Sequence, residues 1–221
     1  MARQERAVRT RRVVLEAAAE VFGECGYERA AILDILKRAG VTKGALYFHF
    51  PSKEALAHAV IEEQLGVAAE AQTGHGLQGA IDLTQEIAHG LQHDVMLRAS
   101  IRLTLEATFD SPVPAPYHAW VGVIERLLAE AQERGEVMPQ VEPNDTAMMI
   151  VGSFTGIQVM SEILTGRVDL SARITKFWQH VLPGIAFPGA LAHMDPRGTG
   201  EYGAAAAEAA GADAEELPAA S

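Results

Sequence analysis

Residues 31–50, AILDILKRAGVTKGALYFHF, constrain the chain more than any other stretch, because they read as two short helices broken at Gly40. In the first, Ile32, Ile35, Leu36 and Ala39 recur at three- and four-residue spacing and form one buried face, with Lys37 and Arg38 on the other side. Gly40 supplies the positive backbone angle of a tight turn, and Val41 anchors that turn inward. Thr42 stands where a hydroxyl can cap the N–H groups that open the second helix. Along that helix Ala45, Leu46 and Phe50 suit the inner side. Thr42, Lys43, Gly44, Tyr47 and His49 then face outward, a small, polar, basic and aromatic set suited to phosphates and base edges. Any small helical hairpin has the same apolar spacing, so the flanking sequence must discriminate.

The flanks point the same way. From Arg6 to Glu24, Val13, Ala17, Val21 and Phe22 build an apolar stripe, and Gly23 and Gly26 are expected to end that helix before Tyr27. After Phe50, Pro51-Ser52-Lys53-Glu54 is a helix start with Ser52 as cap, opening an Ala- and Leu-rich helix toward Ala71. Residues 1–60 hold ten Lys+Arg against seven Asp+Glu, a net of +3, whereas the rest carries −14 of the total −11. An evenly acidic chain would be repelled by DNA, so this basic portion supplies the one end that can approach phosphates. The alternative is that the early arginines are only a solvated leader.

The segment TKGALYFHFPSKEAL, Thr42 to Leu56, behind a long amphipathic amino-terminal helix, resembles the DNA-binding domain of the TetR family of one-component repressors. Within that family, MARQERAVRTRRVVLEAAAEVFGECGY followed by GVTKGALYFHFPSKEALA is most similar to the γ-butyrolactone receptors of streptomycete-type actinobacteria. The likeness is close over about the first 65 residues and looser to about residue 190. It implies an all-α homodimer: a helix-turn-helix domain at 1–51, a ligand-binding and dimerisation domain at 52–195 entered through a connecting helix at 52–71, and a pseudo-palindromic double-stranded DNA operator as partner. Arg3, Arg6, Thr10 and Lys53 join Thr42, Lys43, Gly44, Tyr47 and His49 as expected DNA contacts.

Beyond the connecting helix, Gln72 to Gly76 reads as a loop, and helices fit residues 77–92, 95–108, 117–134, 144–164 and 170–182, with strand signals nearly absent. Asp110 to Pro116, DSPVPAP, has three prolines and must be a loop, a candidate pocket rim. From Pro196 to residue 221 the chain is rich in Ala, Gly and acid and reads as a disordered tail. The 144–164 helix, carrying Met148, Met149, Val151, Phe154, Ile157, Val159, Met160 and Ile163, is apolar on more than one face and should be buried on several sides. It can form a homodimer interface, line an apolar ligand cavity, or do both.

The resemblance places a tryptophan matching Trp120 in the ligand cavity of the lactone receptors and, more weakly, adds Thr155 and Gln64. A lactone or butenolide offers acceptor oxygens on a short polar head, so indole N–H, hydroxyl and amide donors in an oily chamber suit it. Ordinary core packing is the competing reading for all three. A related regulator sensing another apolar molecule, such as an antibiotic, keeps the same fold; an enzyme or scaffold is the other alternative. His89 and His93 are spaced i, i+4 before Asp94, but no third ligand or catalytic glutamate accompanies them. Gly152 to Gly156, GSFTG, is superficially like a nucleophile elbow with the wrong glycine spacing and no strand before it. No catalysis, cofactor or metal is therefore expected. Lone Cys25, the absence of a run of eighteen apolar residues and an arginine-rich start without a secretory h-region suggest a cytosolic protein without a membrane partner.

Overall fold

A computed structural model describes residues 2–70, 74–106 and 115–199, with the side chains of 4–63, 74–106 and 115–199. Among them every regular element is a helix: α1 (Ala2–Arg29), α2 (Ile32–Ala39), α3 (Lys43–His49), α4 (Lys53–Glu70), α5 (Gly76–His93), α6 (Val95–Glu106), α7 (Ala115–Glu133), α8 (Pro143–Thr165), α9 (Leu170–Ile185) and α10 (Pro188–Leu191). The one strand-like feature there is an isolated bridge between Val137 and Ala186. Contacts group the chain into two units, residues 1–70 with 93–119 and residues 71–92 with 120–221.

The first unit forms around α1. Val14, Ala18, Val21 and Phe22 recur at helical spacing and are buried, but so are Leu15, Ala17 and Ala19, so α1 must be covered on more than one side. α2, α3 and α4 supply Ile35, Leu46, Phe50, Leu56, Val60 and Ile61; α6 adds Ala99 and Leu103 to the same cluster. Each large side chain fully buried there contributes roughly 1.5–3 kcal/mol. This cluster takes in residues from both sides of the division expected after residue 51. Cys25 packs against this core and donates its thiol to the Val21 carbonyl at 3.2 Å. Gly23 continues α1, contrary to expectation, and the helix breaks only at Gly26, with φ 77° and ψ 174°.

In the second unit, Trp178 of α9 is fully buried and donates its indole N–H to Thr84 Oγ1 of α5 at 2.8 Å. α9 runs past the expected end at Leu182 through Pro183 to Ile185. A proline so close to a helix end removes little of the hydrogen-bond ladder. Along α8 only Ala147, Ile150, Gln158 and Ser161 are buried, one stripe, whereas Met148, Met149, Met160, Ile163 and Leu164 are exposed. The described residues thus enclose one side of this helix and not several. By length and composition α8 is apolar enough to cross a bilayer.

Residues 196–199, read from sequence as the start of a disordered tail, are instead docked with Asp195 on α5. Gln78 exchanges two hydrogen bonds with the Asp195 backbone at 2.9 and 3.1 Å, and Gln85 Nε2 donates to the Pro196 carbonyl at 3.1 Å. Asp82 accepts from the Thr199 N–H and hydroxyl at 2.8 and 2.7 Å. The proline-loop residues 110–114 and the chain beyond Thr199 lie outside the described residues.

The α8–α9 corner is built on Asp169, whose carboxylate accepts from Arg173, Ser161 and Thr165 at 2.6–2.8 Å. These donors, Arg173 first, hold its carboxyl well below the usual range. A depressed carboxylate stabilises the fold fully above its unfolded-state value near about pH 4, and that contribution is lost as pH falls through the folded value. Asp169→Asn is expected to lower the melting temperature at neutral pH by a few degrees, with the gap to the parent narrowing below about pH 4. Thermal melts across that range check it; a gap independent of pH contradicts it.

Candidate nucleic-acid interface and ligand site

The turn into α3 is closed by local chemistry. Gly40 sits at φ 65° and its N–H reaches the Leu36 carbonyl at 3.0 Å, ending α2. Thr42 Oγ1 then accepts from the Ala45 N–H at 3.2 Å, opening α3. Leu46 is fully buried and Phe50 nearly so, and these two inner contacts fix which face of α3 points outward. Ser52 Oγ accepts from the Ala55 N–H at 3.0 Å and starts α4 the same way.

On the outer face Thr42, Lys43, Gly44 and Tyr47 are exposed, and the Lys43 ammonium stands 5.8 Å from the centre of the Tyr47 ring. Nothing comes within 4 Å of where a Cβ on Gly44 would sit, so a phosphate can approach the backbone there. His49 is half-buried, its ring edge-on to Phe48 at 5.0 Å. Phe48 itself is 78% exposed and was not singled out from sequence. The signal was available: two residues from both Leu46 and Phe50, it falls on the side opposite the inner pair.

The remaining expected DNA contacts divide. Arg6 is exposed on α1, and Thr10 donates its hydroxyl to the Arg6 carbonyl at 2.9 Å. The Lys53 ammonium donates to the Glu28 carbonyl at 3.3 Å and stands 4.4 Å from the Tyr27 ring centre, so part of its donor capacity is used within the domain. Arg11 lies over the Phe50 ring at 5.1 Å. Arg38 grips Glu24 through two hydrogen bonds of 2.7 and 3.0 Å, tying α2 to α1 and holding the Glu24 carboxyl below its usual range. The Arg3 side chain lies outside the described residues.

Of the expected ligand residues, Trp120 is 8% exposed on α7 beside buried Val121 and Ile124. Thr155 is half-buried on α8 and its hydroxyl donates to the Val151 carbonyl at 2.8 Å, which leaves the oxygen as an acceptor. Both belong to the second unit; the Gln64 side chain, on α4, lies outside the described residues. Sequence reasoning passed over Gln158, one turn beyond Thr155 and only 1% exposed. Its Oε1 accepts from Arg167 Nη2 at 3.2 Å, which fixes the amide orientation, and its Nε2 is buried with no hydrogen-bond partner among the described residues.

A family model described as bacterial regulatory proteins, tetR family, matches residues 14–60, and one described as tetracyclin repressor-like, C-terminal domain, matches residues 75–187. The A-factor receptor protein of Streptomyces griseus is 48% identical over 216 residues, spanning 98% of this chain and 78% of that protein. CprB of Streptomyces coelicolor, solved in complex with its biological operator sequence, aligns with a TM-score of 0.72 at 30% identity, covering 92% of this chain and 97% of that one. A γ-butyrolactone receptor described as an ArpA-like protein aligns with a TM-score of 0.70 at 28% identity, with the same coverages of 92% and 97%. With both halves matched, and with a relative this similar along nearly the whole of this chain, the protein belongs to the TetR family of bacterial transcriptional regulators.

Proposed function

We propose that this protein is a homodimeric repressor that reads a pseudo-palindromic operator and releases it on binding a γ-butyrolactone or butenolide signal, controlling secondary metabolism such as antibiotic production from the cytosol. The outward face of α3 carries the reading. A seven-residue helix, capped by Thr42 and anchored by Leu46, presents Lys43, Gly44, Tyr47 and Phe48 together, a face that serves no packing role in its own unit. Such a helix fits a major groove, where Lys43 meets phosphate and the rings meet sugar or thymine methyl groups.

Two further observations support the rest of the proposal. Exposed Met148, Met160, Ile163 and Leu164 on α8, with Ile163 77% exposed, supply the apolar surface that a symmetric helix-to-helix interface buries. Trp120 and the buried Gln158 amide supply an apolar wall and an unpaired donor. Because the Thr155 proton is engaged by Val151, Gln158 is the better donor to a lactone oxygen. Likeness to the A-factor receptor and to a γ-butyrolactone receptor supports that ligand class. Ligand that displaces α4 changes the separation of the two recognition helices, and operator affinity falls.

The DNA face is tested with operator selected by the protein from random duplex, bound at several salt concentrations. Lys43→Ala is expected to weaken binding and lower the salt slope by about 1, while uncharged Phe48→Ala weakens binding at unchanged slope. Parent-like curves for both move the interface elsewhere. For the dimer, Ile163→Glu should sediment as a folded monomer with poor operator affinity, since one half-site offers too few contacts; a folded dimer excludes this face.

The ligand site is read by titrating a synthetic 2-acyl-γ-butyrolactone into preformed protein–operator complex. Trp120→Ala and Gln158→Leu should keep DNA affinity but need roughly tenfold more lactone for release, in line with about 1–3 kcal/mol for a lost buried hydrogen bond. Release at the parent's concentration would place the pocket elsewhere.

A further inference from the structure

We infer that Arg102 and Glu106 of α6 are positioning residues for DNA recognition: together they take up the Gly23 carbonyl and the Tyr27 N–H on either side of the break in α1, and so set the angle at which the helix-turn-helix is held. The inference deepens the DNA-binding reading and rests on it.

In an unbroken α-helix the Tyr27 N–H donates to the Gly23 carbonyl, four residues earlier. At Gly26, φ 77° and ψ 174° turn the next peptide away, a backbone region that essentially only glycine enters. Both separated groups find α6. The Tyr27 N–H donates to Glu106 Oε2 at 2.8 Å, and the Gly23 carbonyl accepts from Arg102 Nη1 at 2.8 Å. Arg102 Nε also donates to Glu106 Oε1 at 2.7 Å, so the two side chains form one bridge laid across the break. A Cβ at position 26 would meet the Glu106 carboxylate, which would have to move out of the bridge to make room.

The reading head begins just past the break. Residues 27–30 lead directly into α2, and Lys53, at the start of α4, rests over the Tyr27 ring and donates to the Glu28 carbonyl. On the other side of the joint, Glu24 is held by Arg38 of α2. A shift of α6 along its axis therefore acts on both ends of the break at once. α6 in turn starts at Asp94, whose carboxylate caps the Met96 and Leu97 N–H groups at 2.7 and 3.2 Å, immediately after α5 in the chain.

The test uses full-length protein, operator selected by the parent from random duplex, and the same operator with one base pair inserted or removed between half-sites, a change of about 3.4 Å along the axis and a tenth of a turn. The parent should discriminate against both altered spacings. Glu106→Ala should bind the selected operator roughly tenfold more weakly, lose most of that discrimination, and show faster hydrogen exchange at the Tyr27 amide. Glu106→Gln keeps a neutral acceptor for that N–H and should restore spacing preference. If Glu106→Ala only lowers the melting temperature, with affinity and spacing preference unchanged well below it, the proposal is overturned. Should Glu106→Ala not fold, Arg102→Met takes its place, since it keeps the apolar stem but removes the donors to both the Gly23 carbonyl and Glu106; parent-like spacing preference there overturns the proposal equally. A parent that selects no duplex brings down the DNA-binding reading itself, whereas a parent that discriminates beside variants that also discriminate brings down only the joint.

Discussion

Three successive alanines, Ala17, Ala18 and Ala19, span about 200° of a helix circumference, and all three are buried. α1 is consequently an axle with cover on two sides, and most of the first unit depends on that enclosure. Alanines at these positions let neighbouring helices come close, so the small helices α2 and α3 seat Ile35 and Leu46 without a large core of their own. The remaining cover has to come from elsewhere in the chain, and α6 provides it with Ala99 and Leu103. The helix-turn-helix unit is therefore assembled from two stretches of chain separated by the whole of α5.

Local chemistry was legible in the residues; distant pairing was not. Gly40, Thr42 and Ser52 act within four residues of themselves, through a positive backbone angle or a capping oxygen, and spacing alone places them. Phe48 was legible by the same arithmetic and was missed by attending only to polar neighbours. Glu106 had no such signal, since its partner lies 79 residues earlier and the need for it arises only from how α1 breaks. The docking of residues 195–199 was hidden for a related reason. Composition marks that stretch as poor in apolar side chains, but what holds it is the backbone, which composition does not weigh. For the expected ligand residues, sequence picked out polar groups in apolar surroundings, yet only the hydrogen bonds show that the Thr155 proton is taken and that Gln158 Nε2 has no partner among the described residues.

α8 illustrates how one helix reconciles opposite demands. Its inward stripe changes character along its length, from Ala147 and Ile150 to Gln158 and Ser161, ending in the Asp169 corner. Its outward side stays oily. The buried Arg167 guanidinium, paired with Glu162 at 2.9 Å and with Gln158 Oε1, brings a full charge close to the Gln158 amide, so the polarity of that end is held by a network and not by one group. A change at Arg167 would be felt at Gln158 through their shared hydrogen bond.

Gln78, Asp82 and Gln85 recur along one face of α5 and hold residues 195–199 almost wholly by main-chain atoms. A grip of that kind depends little on side chains apart from the Thr199 hydroxyl and Gly198, whose φ of 86° favours glycine, but it is strict about how many residues lie between its anchor points. Drift in this part of the chain should accordingly tolerate substitution outside Gly198 and Thr199 better than insertion or deletion: the stretch is measured by length, as a ruler is, more than it is spelled by its letters.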